Sequence, residues 1–200
     1  MYKRFIKRLI DFLVGVVGLP FFCLAFVFIA PIIFFTDRGP IFYNGERIGL
    51  NGRKFPMYKF RSMKVNSPDI RNEDGSTFNS ENDFRVTKVG RILRKTSLDE
   101  IPQILNVIKG DMSIIGPRPN LYTVPIEQLS EVEQKRLTVR PGITGYNQAY
   151  YRNSISTEEK YKNDLFYIEN LSFLLDLKVF LKTISTVLKQ ENINSSKEQL

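Results

Sequence analysis

The sequence predicts an α+β fold: an apolar N-terminal membrane helix, a small β-meander, and a mostly helical domain. Three observations carry this. Residues 12–35 run for 24 positions without a polar side chain. Residues 40–63 alternate in polarity around two Asn-Gly pairs, Asn44-Gly45 and Asn51-Gly52, and such pairs favour tight type I′ turns. From residue 84 onward, apolar positions recur mostly at helical spacing. The chain therefore divides into a membrane-anchoring segment (1–38), a folded domain (39–190) and a polar tail (191–200).

Charge and missing residue types narrow the chemistry. In 200 residues, 29 Lys and Arg face 21 Asp and Glu, a net charge of +8. Such an excess favours anionic partners: nucleic acid, anionic lipid or phosphorylated small molecules. Histidine is absent, which excludes His-based triads, His-ligated zinc and imidazole bases. The lone cysteine, Cys23, excludes an intrachain disulfide and any Cys-based zinc cluster. Acid–base and nucleophilic work falls to carboxylates, Lys, Tyr, Ser or Thr.

As a straight helix, residues 12–35 span roughly 36 Å against roughly 30 Å of bilayer hydrocarbon. No small-residue cleavage site follows, which argues against a signal peptide. Basic residues flank both ends: Lys3, Arg4, Lys7 and Arg8 before, Arg38 and Arg47 after. Pro20 removes a backbone donor, so a kink or break is expected there. A single span with a tolerated proline and a bent hairpin with both flanks on one side both fit these residues.

The meander is expected as Ile41–Tyr43, Glu46–Leu50 and Arg53–Met63. In the last strand, alternation puts Lys59 and Arg61 on one face, roughly 7 Å apart, a spacing that can grip a diphosphate or simply meet solvent. Residues 66–83 carry five acids against Arg71 without periodicity and read as a surface loop. The following window is strongly basic, with Arg85, Lys88, Arg91, Arg94 and Lys95, and reads either as a solvated helix face or, beside the acids that follow, as phosphate-facing, with Arg85 a candidate substrate-binding residue. It leads directly into Thr96–Pro119.

In that central stretch Asp99 and Glu100 precede Ile101, Ile104, Leu105 and Ile108, the spacing of one buried helical face. Gly110 ends the helix. Arg118 then sits between Pro117 and Pro119. Ser97 and Glu100 have capping-box spacing, which would make them purely structural. If Ser97 caps, Pro102 falls deep in the first turns and costs a bond; if Asp99 caps, Pro102 is tolerated. A carboxylate at a helix start stays ionised, and two vicinal ones need a cation nearby. Mg²⁺ suits carboxylate and phosphate oxygens, and an ionised Asp can attack phosphorus.

Downstream, residues 125–139 suggest an amphipathic helix. Arg140–Gly145 is a glycine-rich turn that can bring N–H groups to an anion. Tyr146, Tyr150, Tyr151 and Arg152 form a possible platform for a base or sugar. Ser156 and Glu159 have capping-box spacing. Residues 171–189 are apolar around most of the helix but hold Asp176, Lys178 and Lys182, which suits an interfacial helix better than a second span.

TSLDEIPQILNVIKGDMSIIGPRP, with YKFRSM upstream and VRPGITGYNQ downstream, resembles the bacterial sugar transferases, the small monotopic phosphoglycosyl transferases. The order and spacing of SLDE, GDMS-x-x-GPRP and RPGITG carry the resemblance, which covers almost the whole chain. It implies a UDP-sugar donor, a polyprenyl phosphate acceptor in membrane lipid, release of UMP, and Mg²⁺ as cofactor. It implies Asp99 as nucleophile through an aspartyl phospho-sugar, and Glu100 in metal binding or acceptor activation. Lys59, Arg118, Arg152 and Asp164 match further functional positions. The resemblance also favours a re-entrant helix hairpin, interfacial helices, and a catalytic domain on the cytoplasmic face of the bacterial inner membrane. Two departures matter: the break sits at Leu19-Pro20 rather than mid-helix, and Tyr146-Asn147 stands where many members have Trp-Ala. The competing readings are a non-catalytic basic adaptor on anionic lipid and a nucleic-acid binder; no nucleic-acid motif is present, and the membrane segment argues against the second.

Overall fold

The computed structural model of the protein describes residues 2–70, 78, 80, 82–121, 125–151 and 154–189. Its first long element is α1, Lys7–Asp37, entered through a π-helical turn at Tyr2–Ile6 and ended by Arg38 in the left-handed region. The helix runs on through both Pro20 and Pro31. The break expected at Pro20 is not made. Helix α1 is long and apolar enough to cross a membrane.

One side of α1 packs along the domain. Gly15 and Gly18 let Ile108 and Ile104 of the helix below come close. Phe22 and Phe26 stack on Phe60 and Phe42, with centroids 5.6–6.4 Å apart among these rings. Ile29 and Ile33 are buried with Leu93. The other side, including Val17, Phe21, Leu24, Val27 and Phe28, is exposed. Polar ties hold both ends. Lys7 pairs with Asp176 at 2.8 Å, and Arg8 donates to the carbonyls of Val107 and Ile108. Buried Asp11 accepts from Ser113 Oγ and the Ile114 N–H, both at 3.0 Å. At the far end, Arg61 grips Asp37 with two bonds of 2.6 Å.

The expected three-stranded meander is a two-stranded antiparallel hairpin, β1 Phe42–Ile48 and β2 Lys54–Phe60. Asn44-Gly45 lies inside β1, opposite Tyr58 and Met57. Only Asn51-Gly52 turns the chain: both residues have positive φ (53° and 75°), and Arg53 N–H closes onto the Leu50 carbonyl. One such turn suffices for a hairpin, and the pairing it starts carries straight through the other Asn-Gly. On β2, Phe55 and Met57 point into a cluster with Val107 and Met112. Lys59 shares their side of the strand by alternation, so the expected solvated face is the inward one.

Helix α2, Lys88–Lys95, is capped by Thr87, which accepts from the Gly90 N–H. A 3₁₀ turn, Leu98–Glu100, follows, and then α3, Gln103–Lys109, closed by Gly110 at φ 92°. The Ile101, Ile104, Leu105, Ile108 stripe is only half-buried; the fully buried positions are Pro102, Gln103, Asn106 and Val107. Asn106 explains the inversion. Its amide accepts from the Tyr58 N–H and donates to the Pro56 carbonyl, serving the free edge of β2 as a peptide would.

Strand β3, Ser113–Ile115, pairs in parallel with β4, Gly142–Thr144. The expected helix over 125–139 is a 3₁₀ turn (Ile126–Gln128) and a short α4, Glu131–Arg136. Helix α5 spans Tyr146–Tyr150, α6 Thr157–Glu169 and α7 Phe173–Leu188. Both halves of the Ser156–Glu159 capping box form. Along α7, Phe173, Leu174, Leu177, Phe180, Leu181 and Ile184 are exposed on helical spacing, while Val179 is fully buried against Tyr167 and Ile168. The tail 191–200 lies outside the described residues.

Candidate active site

The site forms where β2, the 3₁₀ turn and the loop after β3 converge. Neither Ser97 nor Asp99 caps a helix. Ser97 is left-handed (φ 57°) and makes no cap bond with its side chain, while Pro102 stands at the N-cap position of α3. A proline there loses no helical bond. The carboxylates of Asp99 and Glu100 are thereby released from capping and mounted on a tight turn.

They have unlike surroundings. Glu100 receives Lys59 Nζ at 2.5 Å and Arg118 Nη2 at 3.1 Å. Burial pushes its carboxyl up, but Lys59 and Arg118 together outweigh it and hold the group at about 2. Asp99 is buried, accepts no hydrogen bond among the described residues, and has Lys59 Nζ 4.0 Å away. Burial raises its pKa, Lys59 offsets part of the rise, and Glu100 adds to it. One carboxylate is thus pinned and ionised, while its neighbour is without a hydrogen bond and more basic.

Arg118 is half-exposed on a well-supported loop. Gly116 N–H bonds to the Thr144 carbonyl, and the Pro117 carbonyl accepts from Gly142 N–H. The Gly142 N–H of the glycine-rich segment 140–145 is therefore spent on holding this loop. Arg140 instead donates to the Gly110 carbonyl. The Arg118 carbonyl accepts from Arg136 at 2.9 Å, and Arg136 is paired with buried Asp164 at 2.8 Å. Asn147 donates to the other Asp164 oxygen, and the Arg136 guanidinium lies over the Tyr161 ring. Asp164 thus acts on the site through Arg136 and Arg118.

Lys59, Asp99, Glu100 and Arg118 come together, and Asp164 supports them. Arg61 and Arg85 are committed elsewhere. The Arg61 fork is spent on Asp37 and backbone carbonyls, and buried Arg85 on Asp83 and the carbonyls of Pro68 and Phe78. Arg152 lies outside the described residues. Tyr146, Tyr150 and Tyr151 form a ring cluster with Phe166 and do not line the cleft; Asn147 and Gln148 of the same helix do. Sequence reasoning missed Arg136 as a support and Arg94 as a charge close enough to act on Asp99. The only signal for Arg94 was its place in the basic window.

Lys59, Asp99, Glu100, Arg118, Arg136 and Asp164 line one open cleft of about 2220 Å³, which also reaches Gly18 and Phe21 of α1. Paired carboxylates ringed by cations in such a cleft suit a phosphorylated substrate. The donor set also fits Mg²⁺: hard oxygens, with Asp99 not engaged in hydrogen bonding, and an ion that needs few protein ligands.

Residues 2–190 match the bacterial sugar transferase family, and the chain belongs to it. It is 39% identical over 191 residues to an uncharacterized sugar transferase of Bacillus subtilis, covering 96% of this chain and 91% of that one. It is 40% identical over 189 residues to a UDP-N-acetylgalactosamine-undecaprenyl-phosphate N-acetylgalactosaminephosphotransferase of Aeromonas hydrophila, covering 92% of this chain but 44% of that one. An exopolysaccharide production protein of Rhizobium meliloti is 39% identical over 193 residues, 90% of this chain and 84% of that one. The chain therefore spans nearly all of some relatives and under half of others.

Proposed function

We propose that the protein transfers a phospho-sugar from a UDP-sugar to a membrane polyprenyl phosphate, the first membrane step in assembling a glycan. An Asp99 oxygen attacks the phosphorus that bears the sugar. The bond from that phosphorus to the UMP oxygen breaks, and UMP leaves with the electron pair. A phosphate oxygen of the acceptor then attacks the same phosphorus and displaces the Asp99 carboxylate, giving a polyprenyl diphosphate sugar. Lys59 and Arg118, already gathered on Glu100, neutralise charge where it builds. Asp99 and Glu100 would hold Mg²⁺, which supplies further neutralisation of the diphosphate.

The single observation that carries this reading is the buried Asp99 carboxylate, which accepts no hydrogen bond among the described residues and meets Lys59 only at 4.0 Å, beside the Lys59–Glu100–Arg118 cluster. A structural acid would be bonded as Asp11, Asp83 and Asp164 are. The relatives' names, a sugar phosphotransferase acting on undecaprenyl phosphate among them, support it. We also infer that both ends of α1 stay on one side of the membrane, that α7 lies in the interface, and that the domain sits on the cytoplasmic face of the inner membrane. Ties at both ends of α1 and the exposed stripe of α7 support that placement.

The test is UMP release from a panel of UDP-sugars. Asp99→Asn is expected to lower it by on the order of 10⁴-fold or more, as removal of a nucleophile does. Release at the wild-type rate would reject the nucleophile; no release from any donor by the unmodified protein would favour the non-catalytic lipid adaptor.

A further inference from the structure

Five of the cations that line the cleft are already spent. Lys59 and Arg118 hold Glu100, Arg61 holds Asp37, Arg85 holds Asp83 and Arg136 holds Asp164. Helix α2 differs. Arg91 and Lys95 are exposed, have no partner among the described residues, and line the same cleft as Asp99. Between them in sequence, Arg94 gives only its Nε, to Ser62 Oγ at 2.9 Å, and its charge reaches Asp99. A line of uncommitted positive charge thus leads along α2 to the unshared carboxylate.

The same helix stands where the cleft meets uncovered apolar surface. Val89 and Leu93 pack against Ile29 and Ile33 of α1. Beside them Phe84 is 65% exposed and Ile92 63%. The neighbouring stretch of α1 exposes Phe28, Ile32 and Phe35. Exposed apolar side chains next to unpaired cations suit an amphiphile with an anionic head. A water-soluble nucleotide sugar gains nothing from Phe84 and Ile92, whereas a lipid phosphate uses both features.

We propose that α2 is the route by which the lipid-phosphate acceptor reaches Asp99. Phe84 and Ile92 dip into the bilayer surface, Arg91 and Lys95 take the phosphate as it leaves the headgroup layer, and Arg94 delivers it to the carboxylate. The proposal rests on the two-step transfer above and adds the acceptor's path to it.

The test separates the two half-reactions. Full-length protein is placed in phosphatidylcholine vesicles with increasing polyprenyl phosphate. The R91Q/K95Q double variant is expected to raise the KM for acceptor on the order of tenfold and to flatten its salt dependence. The burst of UMP without acceptor keeps its wild-type amplitude, which also shows that the variant is folded. Lys88 is exposed on the same helix but does not line the cleft, so K88Q keeps the wild-type KM. An unchanged KM in R91Q/K95Q overturns the proposal. So does an equal rise in K88Q, which would indicate non-specific attraction of any cation on this helix to the acceptor-bearing surface, or a UMP burst that falls with turnover, which would assign these cations to the donor. Unmodified protein that releases no UMP from any donor overturns the two-step reading as well, and is told apart because it fails before any substitution.

Discussion

Asp99 and Glu100 are adjacent in the chain and opposite in electrostatics. Both are lifted by burial, but Lys59 and Arg118 hold Glu100 at about 2, while Asp99 keeps a net rise. A nucleophilic Asp99 must be ionised, so UMP release falls as pH drops through its raised pKa, while Glu100 remains charged. Glu100→Gln removes a negative charge that raises Asp99 and frees Lys59 to act on it. Both changes lower the Asp99 pKa, so the acid limb of single-turnover UMP release is expected to move to lower pH. A limb that stays put or moves up would show that Glu100 does not tune Asp99. The adjacent acids were legible in the sequence because they stand together at the start of an apolar helical stripe, inside the SLDE motif that carries the family resemblance. Arg61 and Arg85 were not, since nothing in a sequence marks a cation as already spent. Arg61 finds its partner on Asp37, 24 residues away. Arg85 finds Asp83 close by, but its burial depends on distant chain.

At the scale of elements, legibility followed the strength of the local signal. The capping box at Ser156, the Gly110 stop and the turn at Asn51-Gly52 all form. Strands β3 and β4 have three residues each and pair in parallel across the chain, which leaves no periodicity to read. Helix α4 was legible as helix but not as a support, because Arg136 works through α6 and the loop after β3. Arg136→Met leaves the Asp164 carboxylate buried without its ion pair, at an expected cost of about 3–5 kcal/mol in denaturant unfolding. Adding Asp164→Leu removes that orphaned charge and is expected to restore most of the stability. Turnover stays low in the double variant, because the Arg118 carbonyl has lost its donor and the guanidinium its fixed approach to Glu100. Equal recovery of stability and turnover would make the Arg136–Asp164 pair structural only.

On the scale of the whole molecule, α1 decides how the protein meets a bilayer. The sequence left a single span and a hairpin open, because flanking charge was similar on both sides. Burial and bonding bear on whether the two ends of α1 can part. Carrying the two ends of α1 to opposite faces would break either Lys7–Asp176 with Asp11–Ser113, or Asp37–Arg61. It would also strip Phe22, Phe26, Ile29 and Ile33 from the hairpin and α2. Uncovering buried charges costs several kcal/mol per group, and a crossing helix regains little by exchanging this apolar packing for lipid. Immersing only the exposed side of α1 keeps every tie and still covers Phe21, Leu24, Val27 and Phe28. In a Cys23→Ser background, Lys3→Cys and Arg38→Cys are therefore expected to react with an impermeant thiol reagent from the same side of sealed vesicles. The buried side of α1 supplies the control: Ile33→Cys reacts from neither side until the protein is unfolded. Labelling of positions 3 and 38 from opposite sides would mean that α1 detaches from the domain in the membrane and crosses it.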